Sequence, residues 1–211
     1  MVAPLIAALP FMTSSVVRLA AFGIYVIAAV SDYYDGKLAR TRDLVTDLGR
    51  LLDPLADKLL LFATLIPMYI LMAPSRDIFA PTQESLGAAH GFPFRTPWGS
   101  VGLPWWIVAV VIGRELLMTV FRHVAARRGV MIGAIGSAKL KTGFQSVWVG
   151  AAYFWFFAAT YAAARGWNNA VWQTWSYING TIGVITMFAA VFLTLYSMWL
   201  YVARYGRVIF R

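Results

Sequence analysis

The sequence predicts an all-α polytopic membrane protein of six transmembrane helices, the first of them short or truncated, in a single domain over residues 1–211. Three observations predict it. Of the 211 residues, 60% are hydrophobic and the mean hydropathy is +0.67. Only 13% are charged, where soluble domains carry about 25%. Apolar runs recur at lengths that approach the roughly 20 residues a bilayer crossing needs, and basic residues gather in alternate connections between them.

Residues 1–11 are apolar but too short to span, and lack the basic start and small-residue cleavage site of a signal peptide. They read as the surviving half of a first membrane helix. Thr13 to Ser15 form a turn, and residues 16–30 run apolar into a polar segment. Arg18 interrupts that run about 21 Å of helix from Asp32, so it is expected to snorkel to the far interface. A third helix runs on through residues 59–72, with Pro54 expected to bend its first turns. Residues 73–104, rich in Pro, Gly and Ser, read as an extramembrane loop with Trp98, Trp105 and Trp106 as interfacial anchors. Further helices are expected over 107–124, 140–164 and 177–202.

Of the 18 Lys and Arg residues, all but Arg18, Arg76, Arg95 and Arg165 fall at or near one side of this arrangement. The positive-inside rule puts that side, with the C-terminus, in the cytoplasm. The net charge of +9 therefore reflects topology and attraction to anionic membrane lipids, and no nucleic-acid partner is expected. Cysteine is absent, which excludes disulfides and thiolate metal sites.

The densest chemistry lies in DYYDGKLARTRDLVTDLGRLLDPLAD, residues 32–57. Asp32 and Asp35 are spaced i and i+3, Asp53 and Asp57 i and i+4, so each pair projects from one face of its own helix. If Gly49 and its neighbours turn the chain, the pairs converge. Four carboxylates together repel by several kcal/mol at low effective dielectric, so cations must hold them. Oxygen-only ligands suit a hard metal, Mg²⁺ or Mn²⁺, and four carboxylates suit two ions better than one. Gly36 and Ala39 remove bulk and let a ligand lie against the helix backbone. An isolated Asp pair near a helix end is ordinarily a cap or a solvated face. Here eight positions fit one string, D-x2-D-G-x2-A-R-x8-G-x3-D-x3-D, filled by Asp32, Asp35, Gly36, Ala39, Arg40, Gly49, Asp53 and Asp57.

A second constellation is basic. Arg114 and Glu115 lie inside the fourth helix, Arg122 follows on nearly the same face as Arg114, and Lys139 and Lys141 open the fifth. Arg127 and Arg128 read as topogenic charges that bind lipid headgroups. Arg114, flanked by apolar residues deeper in the membrane, does not. Glu115 is on another face from Arg114 and is expected to buttress a different helix. Arg114, Arg122, Lys139 and Lys141 could form an anion pocket suited to a phosphate group. Neither His90 nor His123 is expected to bind metal.

The acidic string resembles the signature of the CDP-alcohol phosphatidyltransferase family. GRELLMTVFRHVAARRG with IGSAKLKTGFQ, and MFAAVFLTLYSMWLY, resemble the corresponding parts of bacterial phosphatidylglycerophosphate synthases within it. The resemblance implies phospholipid biosynthesis in the bacterial inner membrane: transfer of the phosphatidyl group of CDP-diacylglycerol, with CMP leaving. It implies Asp32, Asp35 and Asp53 as metal ligands, and Asp57 as both ligand and general base. Asp32, Gly36, Ala39, Arg40 and Gly49 would bind the CDP part. The implied acceptor is sn-glycerol 3-phosphate, with its phosphate on the basic residues, and the implied assembly is a homodimer. Relatives carry a longer leader, so the start reads as truncated or misassigned. Two further classes stand beside this one. The acceptor could be inositol phosphate or phosphatidylglycerol; or the chain could be a non-enzymatic divalent-cation-binding membrane protein or transporter with the acids as a permeation site, which leaves Gly36, Ala39 and Arg40 without a role.

Overall fold

The computed structural model describes residues 2–42, 47–72, 91–129 and 136–209, with side chains except at 32–33, 35–42, 47–55, 57, 136–139 and 207–209. Helices dominate the described residues. In chain order they are α1 (Ala3–Ala8), continued by a 3₁₀ turn (Leu9–Phe11), α2 (Ser15–Arg42), α3 (Asp47–Leu71), α4 (Trp105–Arg127), α5 (Gly136–Ala164) and α6 (Ala170–Ile209). Between α3 and α4 lies a hairpin of β1 (Phe94–Thr96) and β2 (Gly99–Val101). Only α5 and α6 contain described segments long and apolar enough to cross a membrane, Leu140–Ala164 and Ala170–Gly206; Ser15–Ser31 and Lys58–Leu71 are shorter apolar stretches.

Local chemistry sets the helix ends. Pro104 precedes α4, where its missing N–H costs nothing and its φ of −73° suits a helix start. Gly129, with φ of +74°, takes the left-handed conformation that closes the same helix. The tight connection from α5 to α6 turns on Gly166 at φ +64°. The side-chain carbonyl of Asn169 accepts the Trp172 N–H at 2.8 Å and so caps α6. Helix α2 runs on through the polar segment to Arg42, because residues 31–42 contain no proline and a single glycine. Gly49 is correspondingly inside α3, two residues past its start, and is not the turn that the sequence suggested.

Helix α5 is the centre of the packing. Trp148, Tyr153, Trp155 and Phe156 on it are fully buried, and it lies against α2, α3 and α6. Tyr153 stacks on Tyr25 of α2, with ring centroids 5.6 Å apart. Its hydroxyl lies 3.1 Å from the carbonyl oxygen of Ile6 and 3.2 Å from that of Ala63. Both carbonyls stand four residues before a proline, Pro10 and Pro67, so neither can receive the usual helical N–H. One hydroxyl thus stands within reach of gaps in two other helices, with a single proton to share between them.

One expectation is corrected at the end of the bundle where α2 begins. Arg18 does not snorkel outward: it is 2% exposed. Its Nε donates to the Pro10 carbonyl at 3.0 Å, it donates to the hydroxyl of Thr160 on α5, and its guanidinium lies 4.4 Å from the Phe92 ring centroid. An aromatic face and fixed acceptors take the place of water. The stretch expected to lie outside the membrane is described only over residues 91–104, and there it is a hairpin packed on the bundle. The N–H groups of Gly91 and Phe92 close the end of α3 on the Leu71 carbonyl, at 3.0 and 2.7 Å. Trp155 donates to the Pro93 carbonyl at 3.0 Å. β1 lies so close to α6 that a Cβ at Gly180 would meet the Arg95 carbonyl and one at Gly183 the Phe94 ring.

Candidate active site

The acidic segment lies along two consecutive helices joined by residues 43–46. Asp32 and Asp35 belong to α2, Asp53 and Asp57 to α3; counted along the helices, Asp32 stands ten residues before Arg42 and Asp57 ten after Asp47. Asp35 and Asp53 stand seven and six residues from the same two ends. The side chains of Asp32, Asp35, Arg40, Asp53 and Asp57, with Gly36, Ala39 and Gly49, lie outside the described ones, as does that of Lys139.

Contacts between α2 and α5 fix how the acidic segment lies against the basic one. The helices run antiparallel, with Arg18 against Thr160, Phe22 against Phe154 and the Tyr25 hydroxyl 3.0 Å from the Ser146 carbonyl. Continued at 1.5 Å per residue, that register carries the backbone of residues 32–35 about level with the first two turns of α5. Those turns bear Lys139 and Lys141.

Around Lys141 the structure assembles a buried polar cluster from three helices. Arg114 of α4 is 6% exposed, and so is Lys141. Arg114 donates to Glu115 Oε1 at 2.8 Å and to the hydroxyl of Ser197, on α6, at 2.9 Å. Lys141 donates to the same Glu115 oxygen. Glu115 therefore does reach another helix, as its position suggested. It also pairs with its chain neighbour Arg114. Arg114 Nε is buried without a hydrogen-bond partner among the described residues. Arg122 is exposed eight residues further along α4, and its charge acts on Lys141 together with that of Arg114. His123 is exposed beside it, and His90 lies outside the described residues.

Among the described residues two buried cations share one carboxylate, so this part of the cluster keeps a formal positive charge. Taking such groups out of water costs several kcal/mol per ion, which ion pairing recovers only in part. An excess of buried positive charge with an unused N–H favours an anion close by. Ser197 carried no signal in the sequence, since a serine in an apolar run is ordinarily bonded to its own helix, as it also is here to the Thr194 carbonyl at 3.0 Å.

Comparison with known proteins bears on this pairing of an acidic and a basic segment. The family model described as CDP-alcohol phosphatidyltransferase matches residues 1–209. The chain belongs to that family. Over 189 residues, 90% of the chain and 75% of the relative, it is 30% identical to the CDP-diacylglycerol--glycerol-3-phosphate 3-phosphatidyltransferase of Bacillus subtilis strain 168. It is 33% identical over 136 residues to a probable phosphatidylglycerophosphate synthase of Mycobacterium tuberculosis strain H37Rv, covering 64% of the chain and 51% of that protein. The chain thus aligns with about half the length of the mycobacterial relative. A cardiolipin synthase (CMP-forming) of Streptomyces coelicolor is 28% identical over 160 residues, 73% of the chain and 60% of the relative. The eight-position string lies within the matched residues. Membership of the family leaves the acceptor to be argued from the basic cluster.

Proposed function

We propose that the protein transfers the phosphatidyl group of CDP-diacylglycerol to sn-glycerol 3-phosphate, giving phosphatidylglycerol phosphate and CMP in phospholipid biosynthesis. The observation that carries the acceptor is the buried pair Arg114 and Lys141, with its excess positive charge and the unused Arg114 N–H. A phosphomonoester needs such a pocket and a neutral alcohol does not. Arg122 and Lys139 complete it toward the cytoplasm.

Oxygen donors on adjoining helices, at matching distances from one connection, fit hard divalent cations. Two Mg²⁺ or Mn²⁺ ions held by Asp32, Asp35, Asp53 and Asp57 would neutralise the pyrophosphate and stabilise the charge that develops on the departing CMP. Asp57 takes the proton of the acceptor hydroxyl as its oxygen bonds to the phosphorus that carries the diacylglycerol. The bond from that phosphorus to the oxygen of CMP breaks in the same displacement. Gly36, Ala39 and Gly49 admit the CDP part against the helix backbone, and Arg40 pairs with its phosphates. Arg114 and Lys141 hold the acceptor's phosphate so that its hydroxyl faces the acids.

The reading carries with it six membrane spans, an active site on the cytoplasmic side of the bacterial inner membrane, and a homodimer. Transfer to phosphatidylglycerol is the second reading, favoured by the likeness to the Streptomyces relative. Purified protein, CDP-diacylglycerol and a panel of acceptors, followed by CMP release with and without Mg²⁺ or Mn²⁺, test both. Metal-dependent release with glycerol 3-phosphate alone is expected, and Asp57→Asn should lower it at least 100-fold. Arg114→Ala should raise KM for glycerol 3-phosphate about tenfold or more and leave that for CDP-diacylglycerol little changed. Release with phosphatidylglycerol only would replace the first reading by the second. No release with any acceptor or metal would overturn both.

A further inference from the structure

We infer that Glu115 is the resident anion of the acceptor-phosphate pocket: with no acceptor bound, its carboxylate occupies the donors of Arg114 and Lys141, and a phosphomonoester binds by taking them over. The inference rests on the reading that this cluster receives the acceptor's phosphate, and it names the group that sets how tightly that phosphate is held.

Three features of the cluster lead to it. The side chain of Glu115 is 27% exposed, against 6% and 7% for those of Arg114 and Lys141, so it is the member of the three most open to solvent. The arginine is also fixed from the rear. Ser197, fully buried on α6, accepts from its Nη2 at 2.9 Å, whereas no rear contact of that kind is needed to swing a glutamate outward on its three side-chain torsions. Finally, Arg114 Nε has no partner among the described residues, although a carboxylate is already present. A phosphate group offers more acceptor oxygens than a carboxylate and can use this N–H as well as those that Glu115 now holds.

Charge explains why such a competitor would be useful. With Glu115 in place the two cations carry one net charge, and a dianionic phosphomonoester must displace a like charge at contact distance. Acceptor is therefore bound more weakly than two bare cations would bind it. The product keeps the same phosphomonoester, so a site that held it tightly would be slow to clear. Weakening both alike favours turnover over occupancy.

The competing possibility is that Glu115 only holds the two cations in position, and the two predict opposite signs. Inorganic phosphate is titrated calorimetrically into the purified full-length chain and into Glu115→Gln, which preserves size and hydrogen bonding but removes the charge. Binding about tenfold tighter in E115Q is expected. With it should go a lower KM for glycerol 3-phosphate, a kcat unchanged or lower, and an unchanged KM for CDP-diacylglycerol. Phosphate binding that is unchanged or weaker in E115Q overturns the inference. Glu115→Asp, whose retracted carboxylate frees Lys141, should shift affinity the same way by a smaller factor, and decides the matter if E115Q does not fold. Arg114→Gln separates the two layers of the argument. Loss of phosphate binding in R114Q with no gain in E115Q rejects the resident anion and leaves the pocket standing. Phosphate binding indifferent to R114Q rejects the pocket and the resident anion together, and CMP release tests the transferase reading independently.

Discussion

The hydroxyl of Tyr153 stands between two main-chain carbonyls that their own helices cannot satisfy. Tyr153→Phe leaves both buried without that donor, and should lower the unfolding free energy by about 1–3 kcal/mol. Denaturant unfolding in detergent checks this, with CMP release by the surviving folded fraction expected to be little altered. A loss under 0.5 kcal/mol would show that the carbonyls are satisfied in another way. At this scale the sequence is uneven as a guide. Arg114 stands out because charge within an apolar run needs a reason, and in the structure it pairs with Glu115, which Lys141 reaches from the start of α5. Arg18 looked like the same kind of residue but on the way to water. Its partners are a carbonyl eight residues back, a threonine 142 residues ahead and a phenylalanine beyond α3, and helical spacing exposes none of these.

Among the elements, the hairpin was the least legible. Its strands are three residues each and its surroundings rich in Pro and Gly, so composition says loop; what makes it part of the bundle is the pair of glycines on α6 that receive it. Glycines in membrane helices ordinarily read as helix-to-helix packing, and nothing local tells a strand from a helix as the partner. Gly180→Ala sets a methyl against the main chain of Arg95, and overpacking of that kind costs about 1–3 kcal/mol. Faster proteolysis within residues 91–104 and a lower melting temperature are expected. Ser197 is about 26 Å of helix further along α6, so phosphate binding at the basic cluster should persist. Unaltered proteolysis would mean that β1 does not depend on this glycine. The long helices were easier, since α4 and α5 differ from the expected spans mainly by a turn or less at each end.

For the whole molecule, the proposed orientation rests on charge counting, and the absence of cysteine makes it measurable. Trp98, at the hairpin tip, is 84% exposed, and Arg127, at the other end of α4, is exposed too. In intact cells a membrane-impermeant maleimide should label Trp98→Cys and spare Arg127→Cys, which reacts only after permeabilisation. Reversed labelling would put the acidic segment outside the cytoplasm. What no sequence pattern could supply is how α1, α3 and α5 are tied, because the tie runs through gaps that Pro10 and Pro67 leave in two separate helices. Positions 10, 67 and 153 are therefore one thermodynamic unit, and their substitutions should not add. An alanine at position 10 or position 67 restores an amide to one helix and leaves the tyrosine serving the other. With both prolines replaced, each carbonyl has an amide of its own, and Tyr153→Phe should cost less than it does in the parent chain.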